Sequence, residues 1–351
     1  MLITLVAFAG CAKMESAPAP KQAVSFEVAR YARTKAVAIT EFTSFSSKAF
    51  LYAEGVDGVQ MFFGNNGETI TWRPATSEWT PSHPYYWPKG EESYINFVSW
   101  RASEGIVPTT VTETSFVVTR TVEADDQLLI ADEAWRCTSN LTTYRFNGVV
   151  SGVPTLFHHV LAKVQVNMGM TTETDPDDAL VTYEVVLQNA RIEGIYNTGT
   201  LSLTNSDPSA SETRAWVGPL SNNYLWTLDQ NSNGNDVVMV SSNTSLSETP
   251  TAILPERSFI PQALGNGIVL HLTYTVTTKS NGVVTSRETD IPAEIKLNTI
   301  KNLSNVAITD WLPNTIYNYN LIINPISKQI LLEPLVESEW DFADDINVTV
   351  E

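Results

Sequence analysis

Charge is scarce in this sequence. Asp, Glu, Lys and Arg make up 17% of 351 residues, with 21 basic side chains against 39 acidic ones. The formal net charge of −18 repels phosphates, which excludes nucleic acid as a partner and leaves no basic patch for anionic lipid. Cysteine is scarcer still. Cys11 and Cys137 can form at most one bridge, so no disulfide framework holds the fold. There is no Gly-x-Ser-x-Gly elbow, no His-Glu-x-x-His helix and no phosphate-cradling loop. No acid pair or nucleophile stands out either, so the chain reads as a non-enzyme with no cofactor. Of its four histidines, His158 and His159 are adjacent in a strand-like pattern. They point to opposite faces and cannot share a metal. Asp175-Pro176-Asp177-Asp178 and Asp344-Asp345 lack the ligand register of a calcium loop and read as solvated turns. Beyond the first ten residues, no segment is a membrane-span candidate.

What is present favours strands. Hydrophobic residues reach 43%, enough for real cores, and Thr, Ser, Val and Asn are abundant. The clearest stretch is Leu156 to Met168. From Val160 onward, Val160, Ala162, Val164, Val166 and Met168 share one face, and Leu161, Lys163, Gln165 and Asn167 share the other. Period two means a strand with one buried and one mostly wet face. The turn-rich break Gly148 to Pro154 precedes it. The chain therefore divides into a leader and tether at 1–23, an N-terminal β-sandwich at 24–152 and a C-terminal β-sandwich at 153–351. Val24, Phe26 and Val28 alternate with Ser25 and Glu27 as a first strand, and Arg30, Arg33 and Lys35 follow closely. Further strands are expected at 48–53, 59–63, 69–72, 94–100, 115–121 and 126–131. In the second half they are expected at 181–187, 200–203, 224–228, 236–240, 257–261, 267–277, 287–294, 316–323, 329–336 and 346–350. Gly, Asn, Asp and Pro clusters separate these runs. One short helix is expected near 297–303. The fold class is all-β.

Two segments carry alternatives. Trp72 to Pro88 is rich in aromatics and proline. Its rings Trp72, Trp79, Tyr85, Tyr86 and Trp87 could stack sugars, but they equally fit a rigid connector that plugs the end of a sandwich. At the chain's other end, Ile346, Val348 and Val350 alternate with Asn347 and Thr349. This strand either closes the second domain or pairs with a neighbouring molecule.

The N-terminus has its own pattern. Met1 to Gly10 is apolar but too short to span a ~30 Å bilayer as a helix. Phe8-Ala9-Gly10-Cys11 resembles a bacterial lipobox, in which small residues precede a cysteine that becomes lipidated. Phe8 stands where Leu is usual, and no Lys or Arg precedes the apolar run. A Pro-containing tether, Ala12 to Gln22, follows Cys11.

Taken in order, several segments resemble the fimbrillin family, the lipoprotein precursors of protease-assisted pilus subunits. They are Ala9-Gly10-Cys11, Tyr86-Trp87-Pro88, Gln127-Leu128-Leu129-Ile130-Ala131, and Phe157-His158-His159-Val160-Leu161-Ala162-Lys163-Val164. They continue with Ile260-Pro261-Gln262 and with Trp311-Leu312-Pro313-Asn314 before Tyr317-Asn318-Tyr319. Asn314 stands where Gly is commoner, and both tolerate turn conformations. The resemblance implies two transthyretin-like β-sandwich domains in tandem and a structural, adhesive role on the cell surface. It implies export as a lipoprotein through Cys11, anchoring to the outer membrane, and polymerisation with other fimbrial subunits by strand exchange. It also makes Arg30 or Arg33 the site of arginine-specific processing, where the cluster Arg30, Arg33 and Lys35 by itself equally fits an ordinary solvated strand end. Val24, Phe26 and Val28 would then be the displaced strand, and Ile346, Val348 and Val350 the donor. A receptor or glycan on another cell surface is a further expected partner. The competing expectation is a glycan-binding surface lipoprotein that uses the aromatic segment.

Overall fold

The computed structural model describes residues 22–30, 37–38, 42–132, 134–139, 152–171, 180–204, 215–217, 223–228, 238–239, 242–243, 251–302 and 304–337. Among them the fold is all-β. The short helix expected near 297–303 is a single 3-10 turn, Leu297–Thr299.

In the first half, seven strands close a ring of pairings. Tyr94–Ala102 pairs with Leu128–Ala131, which pairs with Val153–His159. That strand runs parallel to Phe26–Arg30, which meets Glu78–Pro81 at Phe26 and Trp79. The circuit continues through Glu68–Arg73 and Ser44–Tyr52 and returns to Tyr94–Ala102. Alternation turns Phe45, Ile70, Trp79, Ile95, Phe97 and Phe157 inward, so the enclosed core is dominated by aromatic rings.

The second half packs two sheets face to face. In one, Ala162–Thr171 lies parallel to Thr315–Ile323 over nine pairs, with Thr251–Phe259 on its other side. In the other, Val181–Tyr196 pairs with Val269–Ser280, which pairs with Val283–Lys296. The core between them is mostly aliphatic, with Val164, Val166, Leu187, Ile192, Leu270 and Leu321 fully buried. Val160, Ala162, Val164, Val166 and Met168 are all at 0% exposure, as their alternation predicts.

Four expectations need correction. Leu156 to Met168 is two strands, Val153–His159 and Ala162–Thr171, joined through Val160 and Leu161. Leu161 and Asn167, expected on the wet face, are 1% and 6% exposed: Leu161 lies in a third core between the two halves, and Asn167 Nδ2 donates to Asn320 Oδ1 at 2.9 Å. The expected loop from Trp72 to Pro88 contains the strand Glu78–Pro81. The strand expected at 181–187 runs on to Tyr196.

The boundary at 152/153 also falls inside a paired region, because Val153–His159 is a member of the first ring. We propose a division between His159 and Ala162. The halves are not independent across it. Ser115–Thr121 pairs with Thr198–Thr204, and the Thr119–Thr200 and Thr121–Thr198 hydroxyl pairs meet at 2.8 Å. Trp216 Nε1 donates to the Val160 carbonyl at 2.7 Å.

Candidate functional site

The first strand is an interior member of the ring. Phe26 to Arg30 pair residue for residue with Val153 to Phe157. On the opposite edge, Val24 N–H donates to the Tyr85 carbonyl at 2.9 Å and Trp87 N–H to the Gln22 carbonyl at 3.0 Å. Farther along, Ala29 and Arg30 pair with Ala38 and Val37. The alternation seen in sequence sets the facing. Val24, Phe26 and Val28 are 2%, 3% and 8% exposed, while Ser25 and Glu27 are half-buried.

Phe26 sits at the centre of this face. Its ring lies edge-on to Phe45 at 5.6 Å and to Phe97 at 5.4 Å, with Phe63 at 6.4 Å. Behind it the chain passes very close to its neighbour. A Cβ at Gly152 would lie 2.6 Å from the Phe26 carbonyl carbon, so only glycine fits there.

The segment that pairs with Gln22 to Val24 is held by one carboxylate. Glu68, on Glu68–Arg73, has a side chain only 8% exposed. Tyr85 Oη donates to its Oε1 at 2.9 Å, His83 Nδ1 meets the same oxygen at 2.9 Å, and Ser82 Oγ donates to Oε2. Burial pushes the Glu68 pKa upward, but the hydrogen bonds from Ser82, His83 and Tyr85 outweigh it and hold the carboxyl below its ordinary range. The Tyr85 phenol is raised, first by burial and then by its bond to Glu68. Glu68 is therefore ionised at neutral pH and clasps the segment through charge-assisted bonds.

The other candidate residues are distributed as follows. Arg30 ends the first strand by its backbone pairing. Arg33, Cys11, Ile346, Val348 and Val350 lie outside the described residues, as do both aspartate clusters. Of the aromatic segment, Trp79 and Trp87 are 5% and 8% exposed and belong to the core. Tyr86 is 44% exposed, and Trp72 and Tyr85 are half-buried against that core. Trp79 and Trp87 thus plug the ring's interior. Burial pushes the Cys137 thiol up to about 12, so this fully buried residue is a packed core atom and not a nucleophile. Among the described residues, no three His, Cys, Asp or Glu side chains converge on a metal site.

Sequence reasoning missed Glu68 and Gly152. Gly152 carried a weak signal, a glycine before Val153-Pro154 beside a strand pattern. Glu68 carried none, because its partners converge only when the segment after 81 folds back.

The fold and this site define a class: an all-β protein with a buried, terminal-proximal strand inserted between two others. A family model described as fimbrillin-like matches residues 34–340, and the chain belongs to that family. No curated protein matches it significantly. Among solved structures, a fimbrial protein from Bacteroides vulgatus superposes with a TM-score of 0.58 at 14% identity, covering 90% of this chain and 99% of its own. A candidate cell adhesion protein from Bacteroides uniformis gives 0.45 at 15% identity, covering 90% and 97%. A fimbrilin from Porphyromonas gingivalis gives 0.36 at 11% identity, also covering 90% and 97%.

Proposed function

We propose that this chain is a cell-surface fimbrial subunit that is exported as a lipoprotein, anchored in the outer membrane through Cys11, and polymerised by proteolysis-assisted strand exchange. The observation that carries this reading is the first strand. It is buried through Val24, Phe26 and Val28, it is paired on both edges, and it ends at Arg30. Cleavage after Arg30 or Arg33 would detach it from the rest of the chain. Its departure breaks the ring of pairings at one place, leaving two unpaired edges and an apolar slot. A neighbouring subunit's strand fills such a slot with main-chain hydrogen bonds and alternating side chains. The donor on this reading is Ile346, Val348 and Val350. The partners are other fimbrial subunits, with a receptor or glycan on an opposing surface, and no nucleic acid. The chemistry is assembly, not catalysis.

Three measurements test this. N-terminal sequencing of matured protein is expected to begin after Arg30 or Arg33, and mildly heated gels of the same sample are expected to show polymer ladders. Cys11→Ser is expected to abolish membrane partitioning, since stable anchoring takes more than one acyl chain on that cysteine. A form truncated after Asp345, mixed with cleaved subunits, is expected to cap polymers. Polymerisation of the truncated form at the wild-type rate would remove 346–350 as the donor.

A further inference from the structure

We infer that the slot vacated by the first strand selects an incoming strand with an aromatic side chain at its central inward position, so that segment 346–350 of a second copy is a weaker occupant than a strand from a subunit that carries such a side chain. The inference rests on the strand-exchange reading above and names its partner.

The walls of the central pocket do not leave with the strand. Phe45, Phe63 and Phe97, whose rings surround Phe26, all lie outside 22–30. They are braced by rings that also stay. Phe45 meets Trp79 at 5.5 Å, Phe63 meets Tyr85 at 4.7 Å, and Phe97 meets Trp87 at 6.1 Å. Close packing among these rings keeps the pocket open at the size of a benzyl group. The flanking positions, those of Val24 and Val28, take smaller side chains. The slot therefore reads a small–aromatic–small pattern at spacing two.

Register is set as well. The Phe26 backbone passes so close to Gly152 that a Cβ there would lie at 2.6 Å. Any occupant's main chain must cross at the same point, with its central residue opposite Trp79 and Val153.

The segment proposed above as a donor fits this slot poorly in the three registers that place Val348, Phe342 or Trp340 at its centre. With Ile346, Val348 and Val350 in the three positions, a valine leaves most of the aromatic pocket empty, and an unfilled cavity weakens binding in proportion to its volume. Sliding to bring Phe342 into the pocket puts Asp344 at a buried valine position, where an unpaired carboxylate is strongly disfavoured. Sliding farther to Trp340 overfills the pocket and puts Phe342 where a valine fits. A strand from another subunit with a central Phe or Tyr meets all three positions.

The test uses full-length protein cleaved by an arginine-specific protease, with labelled peptides competing for the slot. The peptides are residues 22–30, the same peptide with Phe26→Val, residues 344–351, and the latter with Val348→Phe. We expect Phe26→Val to weaken binding on the order of tenfold to a hundredfold, and Val348→Phe to strengthen the terminal peptide by a similar factor. If the 22–30 peptide binds but the terminal peptide binds as tightly without the added ring, the selectivity is wrong and a self-polymer is the better description. If the 22–30 peptide does not re-enter at all, strand exchange itself fails and this inference fails with it.

Discussion

Phe26–Arg30 and Ala162–Thr171 are alike in many respects. Each is buried, each alternates apolar residues inward, and each lies parallel to one neighbour and antiparallel to another. They differ in how they are held. The first strand makes five registered pairs with its parallel neighbour, one with Glu78–Pro81 and two with Val37–Ala38. The second makes nine parallel pairs, along with an antiparallel ladder to Thr251–Phe259. The first therefore depends on one large side chain in an aromatic pocket and on a clasp next door. The second depends on long ladders and a continuous aliphatic face. On the proposed strand-exchange reading, a strand of the first kind leaves once its covalent tie is cut, whereas one of the second kind is expected to leave only when its domain unfolds.

The sharpest way to break the comparison is Val164→Asp. It puts an unpaired carboxylate at a position of 0% exposure, with an expected loss on the order of 5 kcal/mol, comparable with a domain's total stability. Gln165→Asp, one residue along on the half-buried face, is expected to cost about 1 kcal/mol or less. Equal denaturation midpoints for the two variants would overturn the face assignment. Phe26→Ala comes next, at about 3–5 kcal/mol. Its effect is expected to stay local, with hydrogen exchange rising in 26–30 and 153–159 while 162–171 keeps its protection. Uniform loss of protection would show that the first strand is as integral as the second.

Smaller effects sharpen the same contrast. Gly152→Ala pushes a methyl against the Phe26 backbone and is expected to cost about 1–3 kcal/mol. Cleavage after Arg30 by an added arginine-specific protease is expected to accelerate with it, and an unchanged cleavage rate would count against Gly152 as a contact that holds the strand. Glu68→Gln is expected to cost about 1–2 kcal/mol at neutral pH. Its pH dependence follows from the sign of the shift. The folded carboxyl titrates below its ordinary range, so its contribution is complete above that range and is lost as pH falls through the folded pKa. Wild type is therefore expected to release the first strand more readily on acidification below about pH 4. Glu68→Gln is expected to flatten that part of the profile, as read by first-strand hydrogen exchange against pH.

Much of the fold was legible because alternation is a local property. Ala162, Val164, Val166 and Met168 declare one buried face through their spacing alone, and Val24, Phe26 and Val28 do the same. The Ser115–Thr121 strand was legible for the same reason. What stayed hidden depended on partners distant in sequence. Nothing near Val153–His159 says that it lies beside Phe26–Arg30, more than a hundred residues earlier. Leu161 falls on the wet side of the alternation, yet it lies in the joint between two strands and is buried in the core between the two halves. Trp79 and Trp87 could be read as sugar-stacking rings or as a plug, and only the closed ring of strands places them in the core.

By itself, the sequence determined an all-β chain, its inward faces, a first strand ending at a basic site, and an ordered set of segments resembling the fimbrillin family. Period-two alternation and residue chemistry need no partner to be read. Only the tertiary structure decided that the first strand is central to its ring, that Gly152 sets its approach, that Glu68 clasps its neighbour, and that the Phe26 ring packs among Phe45, Phe63 and Phe97. Each of those depends on non-local pairing, in which chain separation carries no information about distance.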